Sequence, residues 1–285
     1  MSTSSNTQQQ MYEAYASSYT IFLKNWQANR KLALEMLKKH FQGSLSQQTE
    51  VSILSVGPGP GEFDKQVIYF LKQYVGEGQT LKYVLVEPNH IHRQMFEATM
   101  QSADVSTVHF EMHPKTIEEF QTNEQFDCIH YTHSIYHMPG QERQLILESL
   151  NLLKDGGVLL ITLDTEEAVI FTLIAKYAEV VGNEQYWQEG SSQMMESKKL
   201  SEIIDDIGLS YKFETYPEYL DVSACFEQNS EEGRVLMDFL FQANLRDAPA
   251  ELNQQLLSLV DKVAVEQNDR KMLYLPAGTF VIPKQ

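Results

Sequence analysis

A doubly wound α/β fold on a parallel sheet is predicted by three features of this sequence. From Val51 onward short apolar runs alternate with helical patterns, the first run breaks into a glycine-rich turn, and the second ends on an acid, Glu87. Alternation of this kind lays parallel strands side by side and carries crossover helices over both faces.

The elements follow in chain order. Residues 1–10 are polar and uncharged and read as a frayed tail, without the apolar core of a targeting segment. Tyr12, Tyr15, Tyr19, Phe22 and Trp26 then recur at steps of three and four, the spacing of one helical face. Such a stripe either packs its helix on the body or forms an aromatic lid over a small substrate. A second helix over 30–41 ends in the short basic cluster Lys38, Lys39 and His40, which suits a helix C-terminus, and a polar linker follows over 44–50. Strand patterns at 51–56, 82–86, 108–112, 126–131 and 157–163 are interleaved with helical ones at 62–75, 90–101 and 141–153. Beyond them a helix is expected over 169–181 and a polar loop over 182–192. Ser197 is the expected N-cap of a helix over 198–207, with Gly208 as its left-handed stop, and strands close the chain at 211–216 and 279–282.

Composition excludes several function classes. With 42% hydrophobic residues, 14 Phe, 14 Tyr and 2 Trp, the 285-residue chain has ample material for a packed core. A formal charge of −17, from 39 acids against 22 bases, would repel phosphate backbones and anionic membranes, so neither nucleic acid nor a membrane is an expected partner. Self-repulsion of that charge favours a monomer. No run approaches the roughly 18–20 apolar residues of a membrane span. The two cysteines, Cys128 and Cys225, cannot build a disulfide framework, which fits a reducing, cytoplasmic setting.

The chemistry starts at Ile53-Leu54-Ser55-Val56-Gly57-Pro58-Gly59-Pro60-Gly61-Glu62, a strand breaking into a glycine turn ahead of a helix. Gly57, Gly59 and Gly61 permit unusual backbone angles and close approach of a ligand, although a structural turn can have the same composition. The spacing is G-x-G-x-G rather than the dinucleotide pattern G-x-G-x-x-G, and two prolines stiffen the loop and remove amide donors that a pyrophosphate would use. A nucleoside ligand without phosphates fits better, and a dehydrogenase fits poorly. Glu87 sits where a carboxylate could accept both ribose hydroxyls; the bland alternative is a solvated acid at a strand end. The run from Phe126 to His137 passes from a buried strand to a polar loop at the sheet edge where such folds bind ligands. Leu152-Leu153-Lys154-Asp155-Gly156-Gly157 reads as a helix stopped by a glycine pair before a buried strand.

Taken in this order, the glycine turn, the strand-end acid, Phe126-Asp127 with Ile129-His130 and the Lys154 to Gly157 turn resemble the class I methyltransferase signature. More narrowly, 53–66, Val86-Glu87-Pro88, 209–226 and Asp238-Phe239-Leu240 resemble histamine N-methyltransferase, over nearly the whole chain. The resemblance implies a seven-stranded sheet of order 3-2-1-4-5-7-6, with the seventh strand antiparallel, binding S-adenosyl-L-methionine over the first strand's turn. It implies one domain over 1–285, with a helical lid over 1–48, a cofactor-binding half over 49–165 and substrate-side elements over 166–285. Gly57 and the turn after it would contact the methionine part and Glu87 the ribose. His92 and Ile117 would lie near the adenine side, and Thr132 and His133 would flank the sulfonium. Tyr15, Tyr19, Tyr136 and Phe239 would line the pocket of a small-molecule acceptor.

Three departures argue against histamine. The family holds that substrate with a glutamate, a glutamine and an asparagine, at positions occupied here by Ala28, His133 and Pro276. Two pocket tryptophans correspond to Ile170 and Ile174. A pocket built to hydrogen-bond one substrate loses it when those groups go. A different acceptor is therefore expected; the family resemblance implies an amine or imidazole nitrogen, with an O- or S-acceptor or a catalytically silent binding protein as the alternatives. His133 and His137 are the candidates to take a proton or orient the acceptor. The scattered His90, His92 and His113 form no metal-site pattern, so no metal is expected.

Overall fold

A computed structural model of the chain describes residues 16–28, 30–41, 49–73, 78–103, 105, 107–181 and 195–284. They fall into two compact units, one drawn from the described residues within 16–28, 164–181 and 216–277, the other from those within 30–163, 195–215 and 278–284.

The second of these carries the large sheet. Its strands are β2 (Glu50–Val56), β3 (Thr80–Val86), β4 (Val108–His113), β5 (Phe126–Thr132), β6 (Leu153–Asp164), β7 (Lys212–Tyr216) and β11 (Ala277–Pro283). Their order is β4-β3-β2-β5-β6-β11-β7, with the last strand of the chain antiparallel, which is the arrangement the family resemblance implies. β2 pairs in parallel with β3 on one side and β5 on the other, so Ile53 lies between Tyr83 and Cys128. Six of its seven residues are buried, as expected of a strand covered on both faces. Helices α2 (Lys31–Phe41), α3 (Glu62–Lys72) and α4 (His90–Gln101) accompany one face, whose core holds Leu37, Phe63, Ile68, Tyr83 and Cys128. The other face packs Leu54, Val84, Ile129 and Tyr131 with Ile146 of α5 (Glu142–Leu152) and Leu200 of α7 (Ser197–Ile207). Each such side chain contributes roughly 1.5–3 kcal/mol on burial.

Two expected boundaries are corrected. The helix α7 begins at Ser197 rather than being capped by it: the Glu196 carboxylate accepts from the amides of Lys198 and Lys199, a charge-favourable cap at a helix N-terminus. The glycine pair does not stop α5. That helix ends at Leu152, and β6 runs from Leu153 through Gly156 and Gly157, with an irregular register where Phe126 faces Leu153 but Cys128 faces Val158. Asp127 and Lys154, two motif residues, make a structural pair at this end of the sheet: the buried Asp127 carboxylate accepts from the Ser52 amide and Lys154 Nζ, both at 2.8 Å.

The first unit is helical, with a four-stranded antiparallel sheet of order β1 (Trp26–Gln27), β8 (Tyr219–Asp221), β10 (Arg270–Tyr274) and β9 (Val265–Gln267). Residues 16–25 form helix α1, but Trp26 leaves the helix and pairs with Leu220. Helices α6 (Val169–Val181), α8 (Glu231–Phe241) and α9 (Ala250–Val263) complete the unit. Tyr12, Tyr15, Gly43 and the loop expected at 182–192 lie outside the described residues. Within those described, no helix is long and apolar enough to cross a membrane.

Candidate active site

At the carboxyl edge of the large sheet, β2 stops because the chain turns through three residues with positive φ: Gly57 at 64°, Gly59 at 56° and Gly61 at 79°. The Gly57 amide donates to the Val86 carbonyl at 2.9 Å, which keeps the turn tied to β3. Gly61 is doubly constrained, since a Cβ there would meet the Phe96 ring at 2.4 Å. Only glycine meets both the left-handed angle and the close approach of α4.

Glu87 directly follows β3 and is 5% exposed. Its Oε2 accepts from the Gly59 amide at 3.2 Å and its Oε1 from the Asn89 amide at 2.9 Å. A carboxylate has about four lone-pair sites, so two backbone donors leave acceptor capacity for a pair of hydroxyls. His92 Nδ1 stands 3.8 Å from Oε2, and Arg93 donates to the carbonyls of Glu87 and Pro88, fixing the strand end beneath the carboxylate. This acceptor set suits a ribose, and the reading of Glu87 as a solvated strand-end acid does not fit its burial.

Where β5 ends, Thr132 is followed by His133 in a left-handed conformation, φ 53°. The His133 amide donates to the Thr162 carbonyl of β6 at 2.8 Å, which holds the bend. Ser134 Oγ donates to the Val56 carbonyl at 2.6 Å and joins this bend to the glycine turn. Burial holds the His133 imidazole down at about 3, with the Arg30 guanidinium adding to the effect, so the ring is neutral near pH 7. His137 ends the short turn Ile135–His137, its ring tilted against that of Tyr136 at 4.6 Å between centroids. Desolvation by its surroundings, helped by His92, lowers its pKa against the pull of Glu87. Ile117 opens the turn Ile117–Glu119 and is partly buried against the core face that also holds Tyr136.

The structure adds a group of residues that sequence reasoning passed over. Asp64, in the first turn of α3 and 1% exposed, accepts from Ser55 Oγ at 2.6 Å and from Tyr83 Oη at 3.0 Å. His130 Nε2 lies 3.0 Å from Tyr83 Oη and 3.4 Å from Asp64 Oδ1, while its Nδ1 lies 3.3 Å from Thr132 Oγ1. The signal was present as a carboxylate one residue from Phe63 on a helix face that also holds Val67 and Ile68, where burial demands partners.

A methyltransferase domain family model matches residues 20–211. The chain belongs to this methyltransferase family. Histamine N-methyltransferase of Rattus norvegicus is 24% identical over 95% of each chain, and carnosine N-methyltransferase 2 of Gallus gallus is 24% identical over 86% of this chain and 78% of its own. Among solved structures, the YcgJ protein of Bacillus subtilis superposes with a TM-score of 0.55 at 15% identity, covering 90% of this chain and 99% of its own. The methyltransferase uses S-adenosyl-L-methionine as its donor, and the buried Glu87 acceptors beside the glycine turn fit that group.

In the other unit of the methyltransferase, Tyr19 and Phe239 meet at 6.1 Å, Phe22 stacks on Phe239 at 4.3 Å, and Phe22 meets Trp26 in a tilted contact at 5.0 Å. The aromatic stripe thus packs α1 against α8, while Tyr15 lies outside the described residues. Of the three altered anchor positions, Ala28 is exposed, Pro276 is buried with its carbonyl accepting from the Thr165 amide at 2.8 Å, and His133 stands at the bend described above. Among the described residues no three His, Cys, Asp or Glu side chains are grouped to hold a metal ion.

Proposed function

We propose that this methyltransferase methylates a nitrogen, in an amine or imidazole, of a small molecule other than histamine. The observation that carries the cofactor half of this reading is the buried Glu87 carboxylate against the Gly59 amide, with lone pairs to spare for a ribose. The bound donor supplies an electrophilic methyl group on a sulfonium. Gly57, Gly59 and Gly61 would hold its methionine part, His92 and Ile117 would border the adenine, and Thr132 and His133 would flank the sulfonium. By the resemblance to histamine N-methyltransferase, Tyr15, Tyr19, Tyr136 and Phe239 would line the pocket of the acceptor.

The chain's own task is alignment and exclusion of water, because transfer is an in-line displacement. A neutral His133 serves this better than a charged one. Two unit charges about 4 Å apart repel by roughly 4 kcal/mol at an effective dielectric of 20, so an imidazolium beside the sulfonium would oppose binding. With a pKa near 3, His133 orients the acceptor by a hydrogen bond rather than carrying its proton. His137, more exposed, is the better placed of the two to pass a proton to solvent.

Nitrogen as acceptor is supported by the relatives that methylate histamine and carnosine. Rejection of histamine is supported by Ala28, His133 and Pro276, which cannot repeat the carboxylate and amide contacts of that family. The test is formation of S-adenosylhomocysteine across a panel of imidazoles, primary and secondary amines, phenols and thiols. Turnover with at least one amine or imidazole, and clearly less with histamine, is expected. Equal turnover of histamine would remove the substrate claim, and turnover confined to phenols or thiols would remove the nitrogen claim. The free cysteines and the −17 charge support a monomer in a cytoplasmic setting, which sedimentation of the purified chain and localisation of a tagged chain would test separately.

A further inference from the structure

We infer that His130 is a positioning residue: held by Asp64 and Tyr83, it turns the Thr132 hydroxyl so that the oxygen's lone pairs, not its proton, face the donor's sulfonium. The inference rests on the proposed placement of that sulfonium beside Thr132.

The argument is an accounting of protons along a buried chain of groups. The Tyr83 hydroxyl has one proton, and it goes to Asp64 Oδ1 at 3.0 Å. Burial, reinforced by the Asp64 charge, raises the Tyr83 pKa far above its ordinary value, so the phenol keeps that proton. Asp64 Oδ1 also receives the Ser55 hydroxyl at 2.6 Å. Every heavy atom facing His130 Nε2 is then an acceptor, with Tyr83 Oη at 3.0 Å and Asp64 Oδ1 at 3.4 Å. The imidazole must carry its hydrogen on Nε2, and in the neutral ring Nδ1 is left as a bare acceptor. Its neighbour at 3.3 Å is Thr132 Oγ1, which therefore donates inward. The Thr132 oxygen has no second proton to point outward.

Placement supports the role. Side chains alternate along a strand, so Cys128, His130 and Thr132 share one face of β5, the face that also holds Tyr83 and the start of α3. Thr132 is the last residue of that strand and is only half-buried, unlike the fully enclosed groups behind it. An outward hydroxyl proton would present a positive end to a cation. A lone pair instead attracts the sulfonium and accepts from the polarised C–H groups attached to it, an effect a neutral thioether does not share.

That asymmetry gives the test, and no methyl acceptor is needed for it. Calorimetry would measure the affinity of the whole chain for S-adenosylmethionine and for S-adenosylhomocysteine, with unfolding midpoints measured in parallel. For Thr132→Val, affinity for the sulfonium is expected to fall roughly five- to tenfold, the net worth of about one ordinary hydrogen bond, with the thioether affected less than about twofold. Thr132→Ser should restore the preference. Tyr83→Phe, which cuts the chain two groups away, should shift the same ratio by about threefold, and the double variant should be no worse than Thr132→Val alone because the two changes act through one contact. If Tyr83→Phe fails to fold, His130→Asn, which keeps a polar atom near the Nδ1 position but loses the one at Nε2, should shift the ratio in the same direction. Equal weakening of both ligands, or multiplicative effects in the double variant, would overturn the inference while leaving the cofactor placement standing. A wild-type chain that binds neither ligand would overturn that placement and the inference with it.

Discussion

The two units of this methyltransferase bury different kinds of side chain. The sheet-bearing unit encloses Asp64, Glu87, Asp127 and His130, each at most 5% exposed and each held by named partners at defined distances. The other unit has a core of Phe22, Trp26, Leu236, Phe239, Leu240 and Leu273, and among its described residues the buried set apart from Thr165 and Glu218 is apolar. A buried polar network fails when one member is removed, because the remainder are left without partners. An apolar cluster tolerates exchange among groups of similar volume. Substitutions in the sheet-bearing unit should therefore strike cofactor binding, and those in the helical unit should strike packing while leaving the cofactor bound.

The largest effect is expected from Gly61→Ala. The left-handed φ and the approach of Phe96 to 2.4 Å each penalise a Cβ, and together they should cost about 3 kcal/mol or more of stability in urea unfolding. A loss below 1 kcal/mol would show that α4 yields easily and that the turn is less constrained than its geometry indicates. Next, Glu87→Gln keeps shape but removes charge and should weaken S-adenosylmethionine binding by roughly tenfold to a hundredfold, or about 1.5–3 kcal/mol, in calorimetry. Affinity within twofold of wild type would break the assignment of ribose binding to this carboxylate.

Phe22→Leu sharpens the contrast from the other side. Loss of the stacked contact with Phe239 and the tilted one with Trp26 should cost about 1.5 kcal/mol of stability, with cofactor affinity unchanged within about twofold. A large fall in cofactor affinity would erase the distinction between the two regions. The smallest effect concerns pH. His133 titrates at about 3 when folded and near 6.5 when unfolded, so the unfolded chain binds the extra proton first as pH falls. Stability should decline from about pH 6.5 toward pH 3 and be insensitive to this group above that range. His133→Gln should remove a part of that slope on the order of 1 kcal/mol at pH 5, a figure reduced for partial exposure of the ring. A variant with the same slope as wild type would show that the imidazole is solvated.

The cofactor side was legible because its signals are local. The turn at Gly57 to Gly61, Glu87 after an apolar run and the helix over 90–101 all report backbone geometry or strand ends that neighbouring residues dictate. β8, β9 and β10 went unmarked because strands of three to five residues such as Val265–Gln267 hold too few positions to establish a period. Helices α8 and α9 passed without a boundary, although their caps, Ser230 with its acceptor bond to the Gly233 amide and Pro249, were in plain view.

Sequence alone determined the alternation of strands and helices from Val51 to Leu163, the glycine turn and the acid that faces it, since each depends on residues adjacent along the chain. Only tertiary structure decided that Asp127 and Lys154 pair with one another and that Ser55, Asp64, Tyr83, His130 and Thr132 form one buried chain of hydrogen bonds. Those partners come from separate strands and a helix up to 77 positions apart, from Ser55 to Thr132, and no spacing rule links them. Burial makes the pairing compulsory: a charged or hydroxyl group removed from water must find its partner wherever the fold brings one within 3 Å or so.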